Sequence, residues 1–430
     1  MKNTDSRTIG LLGALSIGIG GMVGGGIFAV LGEAVSIAHG ATEIAFLVAG
    51  IVALLSAYSY AKLSVAFQSS GGTIVFIDEA FHHSLFSGTM NVILWLSYLI
   101  TISLYAVAFG SYAQTFFTGE HIPYLKHILI SFAIVFPGAI NLVNASLVSK
   151  SETIVVIIKL SLMALVIVLG IPYIDVQRLS PANFEAPLSI VAAGMIIFVA
   201  YEGFELIANA ANDIKDPKKN LPRAFYGSVI FVILLYILIA IITVGGVDEA
   251  TLLDAKDYAL AVAAKPALGQ FGFTLVAIAA LLATFSAINA TIFGNARLSF
   301  VLALEGELPL IDKTTSINPL WGVLTTIIFS LVLANTIDLS AIAIIGSASF
   351  LLIFTVTNFS AYRLHETICA NKYITLFATL VSLLSLITLL LHTYKTDIHA
   401  IVVFIVFILC SVLFELSYGK IYRKRLLTHK

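Results

Sequence analysis

The feature that most constrains this chain is a series of apolar segments, each long enough to cross a lipid bilayer. Of its 430 residues, 59% are hydrophobic and 11% are charged, and a helix of about 20 apolar residues spans a membrane. We count twelve such segments, at residues 9–35, 43–66, 89–117, 127–145, 151–173, 188–211, 224–246, 269–296, 319–336, 339–361, 373–392 and 398–418. The sequence therefore predicts one all-α integral-membrane domain over residues 1–430, surrounded by membrane lipid.

The distribution of basic residues predicts how these segments are oriented. Cytoplasmic loops carry an excess of Lys and Arg, and an even number of spans places both termini on one side. With both termini in the cytoplasm, the outside holds only Lys126, Arg178, Lys256, Lys265 and Lys395. Lys159 lies within a span, and all other lysines and arginines fall inside. We expect a multi-pass protein of a prokaryotic plasma (inner) membrane with cytoplasmic N- and C-termini.

The first apolar segment carries its own helix breaker, the run IGIGGMVGGGIFAVLG at residues 17–32. Glycine costs about 1 kcal/mol relative to alanine inside a helix. Close helix packing through small residues is a competing explanation, whereas a dinucleotide loop is disfavoured because no strand precedes the run. Three consecutive glycines, Gly24, Gly25 and Gly26, exceed what packing needs. They predict a break that frees backbone N–H groups for a carboxylate.

The sixth apolar segment has a matching irregular centre, FVAYEGFE, from Phe198 to Glu205. Irregular backbone survives within a bilayer only where it is buried in protein or lines a cavity. Interrupted spans at corresponding positions of two halves are typical of inverted-repeat transporters with a substrate site at the midplane. We therefore expect a first repeat over residues 9–173, a second over 188–361, and two further helices over 373–418.

Lys159 is an ionisable residue inside a predicted span. It lies about 12 Å from the start of that span at 1.5 Å per residue, too deep for its side chain to reach the interface comfortably. Because burial favours the neutral form of an amine, Lys159 is a candidate for proton coupling. A structural cation that ties helices together is the alternative.

Glu202 and Glu205 lie in the irregular centre of the sixth segment. An ionised Glu202 that faces the substrate favours a cationic substrate, whereas a protonated Glu202 serves only as a hydrogen-bonding group, and both options stay open. For Glu205 we consider a pair with a neighbouring helix, or a role as a gate or pH sensor.

Several motifs, in order along the chain, resemble permeases of the amino acid–polyamine–organocation (APC) superfamily. They are the glycine-rich first segment, SYAKL, the SSGGTIVFIDEAF loop, AYEGFE and IKDPKKNLPRAF. The stretches ALAVAAKPALGQFGF, INATIFGNA, EGELP and IIKL are especially similar to those of archaeal proton-coupled, broad-specificity amino-acid transporters in the superfamily. The resemblance covers nearly the whole chain. It implies the leucine-transporter fold, with two inverted five-helix repeats, broken helices 1 and 6, and helices 11 and 12.

The resemblance also implies where a substrate binds. Backbone N–H groups would hold its carboxylate, and these belong to Gly24, Gly25 and Gly26. Backbone carbonyl groups would hold its ammonium, and these lie near Val23 and on Phe198, Val199 and Glu202. Two positions depart from the family pattern. Glu202 stands where the proton-coupled relatives carry an apolar residue, and GGG replaces a motif that usually contains serine.

For the ionisable residues, the resemblance implies a role in coupling. Lys159 matches a lysine that, in proton-coupled relatives, fills the place where sodium-coupled members bind an ion. Its expected neighbours are the Gly20 carbonyl and Ser286. Glu205 matches an acid that is common in its motif.

Taken together, these features predict a secondary active amino-acid transporter that takes up its substrate with protons by alternating access. We expect no metal, nucleotide or other cofactor, and the formal net charge of −1 argues against a nucleic-acid partner. An exchanger of amino acids, or of a cationic amino acid and a polyamine-like product, is the main alternative, and Glu202 motivates it. A sensor that binds without transport is a second alternative, and an enzyme is disfavoured because the spans carry no nucleophile–base set.

Overall fold

The structure, a computed structural model, describes residues 7–82, 84–117, 122–143, 146–304 and 320–419. Within these residues the chain is helical, and its β contacts are two isolated bridges, Ile9 with Ile214 and His39 with Phe184. The EGELP stretch and the basic tail after residue 419 lie outside the described residues.

The described residues form seventeen α-helices, which we number in chain order. The first nine are α1 (Leu11–Met22), α2 (Gly26–Ala38), α3 (Thr42–Ala66), α4 (Thr73–Phe81), α5 (Leu85–Gln114), α6 (Leu125–Val143), α7 (Ser146–Gly170), α8 (Pro187–Ile196) and α9 (Leu206–Asn209). The other eight are α10 (Pro217–Gly246), α11 (Glu249–Asp254), α12 (Ala259–Ala263), α13 (Lys265–Leu304), α14 (Leu320–Thr336), α15 (Leu339–Arg363), α16 (Lys372–Thr396) and α17 (Ile398–Phe414).

Each predicted apolar segment forms a helix or a pair of helices. In the part of the chain that the structure describes, ten helical segments are long and apolar enough to cross a membrane, and the bent pair α1–α2 would make eleven. The ninth predicted segment forms a shorter apolar helix, α14. The prediction of a multi-pass all-α membrane protein is confirmed, and twelve crossings stay a prediction.

The first span is broken at its consecutive glycines, as predicted. Helix α1 ends at Met22, α2 begins at Gly26, and the two helix axes are bent by 47°. The N–H of Gly24 donates back to the Gly21 carbonyl at 3.2 Å. The span therefore unwinds over about one turn and then resumes in a new direction.

The sixth span is interrupted at the matching place, also as predicted. Helix α8 ends at Ile196, a 3₁₀ helix follows over Ile197–Tyr201, and α9 begins at Leu206 after a tight turn. Gly203 lies in this turn with φ of 116°, a backbone conformation that glycine adopts without a steric penalty.

The two breaks touch each other through glycine backbone. A Cβ atom placed on Gly21 would lie 2.7 Å from the Gly203 carbonyl oxygen, and one placed on Gly26 would lie 2.8 Å from the Ala200 Cα. Both explanations of the glycine run therefore apply, to different residues. Gly21 serves close packing, as small residues do between membrane helices, and Gly24–Gly26 form the break.

The inner ends of the two broken spans are joined as well. The N–H of Ile9 donates to the Asp213 carbonyl at 2.9 Å, and the N–H of Lys215 donates to the Ile9 carbonyl at 2.8 Å. These bonds connect the residues before α1 to the residues after α9. The broken spans thus form one connected unit in the centre of the molecule.

Helices α3, α5, α10 and α15 enclose this unit. An aromatic cluster centred on Tyr60 fills the space beside it, where the Tyr60 ring contacts Phe76, Phe204, Phe225 and Phe354. Phe76 belongs to α4, which forms within the stretch expected to be a loop, SSGGTIVFIDEAF. The loop expectation was wrong there because Thr73, Phe76 and Ile77 lie on one buried face, and packing stabilises this short helix.

We predict that Gly203→Ala destabilises the protein severely, because the added methyl group meets the Gly21 backbone and the residue must keep a positive φ. Such backbone strain alone costs roughly 1–3 kcal/mol. Gly294→Ala is a matched control in α13, where a Cβ atom meets nothing within 4 Å. Thermal unfolding in detergent should show a large drop in melting temperature for Gly203→Ala and no drop for the control. Equal stability of the two variants would refute the contact between the breaks.

Candidate functional site

The break in the first span lies under the ring of Tyr105. Helix α2 begins at Gly26, and the first N–H groups of a helix have no partner within it. A Cβ atom placed on Gly25 would lie 2.3 Å from Cδ1 of the Tyr105 ring, and one placed on Gly24 would lie 3.7 Å from the Tyr105 hydroxyl oxygen. The glycines therefore form a shallow backbone surface that this tyrosine of α5 covers.

In the sixth span, Phe198 and Val199 are fixed by contacts with α15. The N–H of Val199 donates to the Ser347 hydroxyl oxygen at 2.9 Å, and that hydroxyl donates to the Ile196 carbonyl at 2.5 Å. The Phe198 ring packs edge-on against Phe354 with ring centroids 5.7 Å apart. Both side chains are packed in the interior, and the Val199 carbonyl accepts a hydrogen bond from the Glu202 N–H at 3.2 Å. What these two residues can turn to a ligand is therefore their backbone carbonyl groups.

The two acids of the sixth span are buried, at 4% exposure for Glu202 and 1% for Glu205. Glu202 Oε2 accepts a hydrogen bond from the Tyr105 hydroxyl at 3.2 Å. Glu205 Oε2 accepts one from the Gly203 N–H at 2.8 Å, and its Oε1 accepts one from the Tyr98 hydroxyl at 3.3 Å. Glu205 thus ties its own turn together, whereas Glu202 points to the tyrosine that covers the first break.

Lys159 reaches the first span from α7. It is buried at 3% exposure, and its ammonium donates to the Gly20 carbonyl at 3.0 Å. Ser286 lies half-buried on α13, a helix that packs against α7. The lysine therefore lies against the carbonyl that the resemblance implies, at the inner side of the break.

Tyr236 joins the two breaks, and its role was not foreseen from the sequence. Its hydroxyl oxygen lies 2.7 Å from the Met22 carbonyl oxygen and 3.1 Å from the Ala200 carbonyl oxygen. Tyr105 was missed in the same way. A tyrosine inside an apolar segment does indicate a hydrogen bond, because a buried tyrosine hydroxyl needs a partner. The sequence does not show which residue that partner is.

A cavity of about 380 Å³ lies on the side that the basic residues predict to be outside. Ala29, one helical turn beyond Gly26, belongs to its lining. Two ion pairs cross the cavity wall, Glu33 with Lys256 and Lys126 with Asp257, the latter with 2.9 Å between Nζ and Oδ2. Gly24, Gly25 and Gly26 are buried and do not belong to its lining, so the glycine surface is closed off from the cavity in this conformation.

Two interrupted spans that meet around buried charges define a multi-pass membrane permease. A profile of the amino acid permease family matches residues 9–417. The chain therefore belongs to the amino acid permease family, within the APC superfamily. The predicted leucine-transporter fold and superfamily are confirmed.

Two relatives match this chain over nearly its whole length, and a third matches about three quarters of it. An uncharacterized protein of Methanocaldococcus jannaschii is 32% identical over 421 residues, 97% of each chain. The inner membrane transport protein YbaT of Escherichia coli is 33% identical over 416 residues, 96% of each chain. The serine/threonine exchanger SteT of Bacillus subtilis is 26% identical over 324 residues, 74% of this chain and 73% of SteT. The family is one of permeases, YbaT is a transport protein and SteT is an exchanger, so this chain is a transporter and not an enzyme.

We predict that Tyr236→Phe lowers the free energy of unfolding by about 1–3 kcal/mol, because the two buried carbonyl groups lose the hydroxyl whose single proton lies between them. Tyr226→Phe, a half-buried position on the same helix, is the matched control. Chemical or thermal unfolding in detergent measures both. A Tyr236→Phe variant as stable as the control would mean that this hydroxyl does not hold the breaks together.

Proposed function

We propose that this chain is a secondary transporter that takes up amino acids with protons by alternating access. One observation carries the proposal: two unwound segments meet inside the membrane, and both free and acidic hydrogen-bonding groups lie at the junction. An α-amino acid carries a carboxylate and an ammonium group on the same carbon atom. The junction offers N–H groups for the first and carbonyl and carboxylate oxygens for the second.

The substrate carboxylate binds at the start of α2, where Gly25 and Gly26 present their N–H groups. The Gly24 N–H, which donates to the Gly21 carbonyl at 3.2 Å in this conformation, turns to the carboxylate when the substrate binds. A helix N-terminus attracts an anion because its N–H groups are unpaired and its dipole is positive there. The ammonium binds across the junction, where the carbonyl groups lie near Val23 and on Phe198, Val199 and Glu202. Support comes from the Gly26–Ala200 and Gly21–Gly203 contacts, which hold the two sides together.

Lys159 couples transport to protons in this proposal. A protonated ammonium forms a stronger, charge-assisted hydrogen bond than a neutral amine does. Loss of the proton therefore weakens the bond to the Gly20 carbonyl and loosens α1, the inner half of the first span. Ser286 is the second partner implied by the resemblance, and Glu205 is the alternative gate or pH sensor.

The proposed location is a prokaryotic plasma membrane, with both termini in the cytoplasm. The excess of Lys and Arg on that side supports the orientation. The choice of membrane is supported by YbaT, which is an inner membrane transport protein. No nucleotide or metal takes part in the proposed cycle, because the proton gradient supplies the energy. The two inverted repeats over residues 9–173 and 188–361 frame the site.

Exchange is the second candidate function. The description of SteT as a serine/threonine exchanger supports it. In an exchanger, a second amino acid or a polyamine replaces the proton as the returning species.

We predict that uptake into proteoliposomes proceeds without preloaded amino acid and rises when the outside is acidified. A radiolabelled panel of L-amino acids at two pH values identifies the substrate. The rate of uptake should be nearly the same in empty vesicles and in vesicles preloaded with amino acid. Uptake that requires preloading and ignores an imposed pH gradient would establish exchange, and binding without uptake under any condition would favour a sensor.

We predict that Lys159→Ala abolishes the pH dependence of uptake while the protein remains folded, because the proton-carrying group is gone. Lys62→Ala is a matched control, since the Lys62 ammonium also donates to a backbone carbonyl at 3.0 Å, that of Cys369, on an exposed part of the molecule. The control should keep the wild-type pH profile. Normal proton-driven uptake by Lys159→Ala would remove Lys159 from the coupling step.

A further inference from the structure

Two tyrosines on one face of α5 donate hydrogen bonds to the two acids of the sixth span. Tyr98 and Tyr105 are seven residues apart, which is about two helical turns, so their side chains leave α5 on the same side. Tyr98 donates to Glu205 at 3.3 Å and Tyr105 donates to Glu202 at 3.2 Å. The chain thus contains two similar tyrosine–glutamate pairs, and their surroundings distinguish them.

The pair of Tyr98 and Glu205 belongs to the turn of the sixth span. Glu205 receives a second hydrogen bond from the Gly203 N–H at 2.8 Å, so its carboxylate is held by its own backbone. The Tyr98 ring packs against Phe350 at 5.9 Å between centroids. With these contacts, Tyr98 and Glu205 stabilise the turn of the sixth span.

The pair of Tyr105 and Glu202 lies on the proposed carboxylate site instead. The Tyr105 ring covers Gly25, and its hydroxyl lies beside Gly24. The same side chain therefore touches the break in the first span with its ring and the acid of the sixth span with its hydroxyl. A ligand that approaches Gly25 from the side of α5 therefore meets the Tyr105 ring first.

We infer that the Glu202 carboxylate is the counter-charge of the substrate's α-ammonium, and that Tyr105 covers both until the substrate displaces it. This inference rests on the proposed function. Displacement of the ring exposes the break to the carboxylate and removes the hydroxyl from Glu202. The ammonium then replaces that hydroxyl, and an ion pair with hydrogen bonding is stronger than the bond it replaces.

The charges favour this arrangement. A buried carboxylate without a counter-charge is costly, and Glu202 is almost completely buried. A zwitterionic substrate brings a positive group to Glu202 and a negative group to the glycine N–H groups. Because Glu202 is then engaged by the α-ammonium, it does not select for a cationic side chain. The other acid of the sixth span, Glu205, is bonded to the Gly203 N–H and the Tyr98 hydroxyl, so neither acid of this span is left for a cationic side chain. The substrate class is therefore amino acids with uncharged side chains, and 2-hydroxy acids of the same shape, which lack the ammonium, are excluded.

The test compares Glu202→Gln with Glu205→Gln, two isosteric changes three residues apart. The probes are the radiolabelled amino acid with the highest wild-type uptake and, as competitor, the 2-hydroxy acid with the same side chain. Glu202→Gln should raise KM for the amino acid at least tenfold and reduce the discrimination against the hydroxy acid by a similar factor. Glu205→Gln should keep the wild-type discrimination, whatever its transport rate.

The second arm compares Tyr105→Phe with Tyr98→Phe. Loss of the Tyr105 hydroxyl frees the ring from Glu202, so KM should fall severalfold, whereas Tyr98→Phe should leave KM unchanged. The inference is overturned if Glu202→Gln still discriminates between the amino acid and the 2-hydroxy acid as the wild type does, or if Tyr105→Phe has a higher KM. Either result leaves the proposed function standing. A wild-type protein that takes up no amino acid overturns both.

Discussion

The contact between two unwound backbone segments inside the membrane is the constraint on which the rest of the structure depends. In a bilayer an unpaired backbone group costs several kcal/mol, so a broken helix survives only if another group meets its free N–H and carbonyl groups. Glycine at residues 21 and 203 allows the two backbones to touch, and the Tyr236 hydroxyl lies within hydrogen-bonding distance of a carbonyl on each side. We propose that the unwound segments persist, despite their cost in helix stability, because the junction binds the substrate.

The buried charges are arranged around this junction in three different ways. Lys159 holds the inner half of the first span through the Gly20 carbonyl. Glu205 holds the turn of the sixth span through the Gly203 N–H. Of these three residues, only Glu202 is bonded to a side chain, Tyr105, that also covers the first break. We therefore assign Glu202 to substrate binding, Lys159 to the moving backbone of the first span and Glu205 to the fixed turn of the sixth span.

Most of the fold could be predicted from the sequence, because long apolar segments and consecutive glycines act locally. The break at Gly24–Gly26 follows from backbone propensity, and α4 was expected to be a loop because its helix is stabilised by packing. The tyrosine contacts could not be predicted, since Tyr105 and Tyr236 are bonded to residues on other helices. Lys159, Glu202 and Glu205 were recognisable as charges in apolar spans, but their partners depend on which helices meet.

The central claim, that the junction of the two breaks is the amino-acid site, is tested most directly by a structure of the protein with its transported amino acid bound. The account predicts the carboxylate within hydrogen-bonding distance of the N–H groups of Gly24–Gly26, with the Tyr105 ring displaced from Gly25. An amino acid held instead in the outer cavity between Glu33 and Lys126, with Tyr105 still over Gly25, would contradict it.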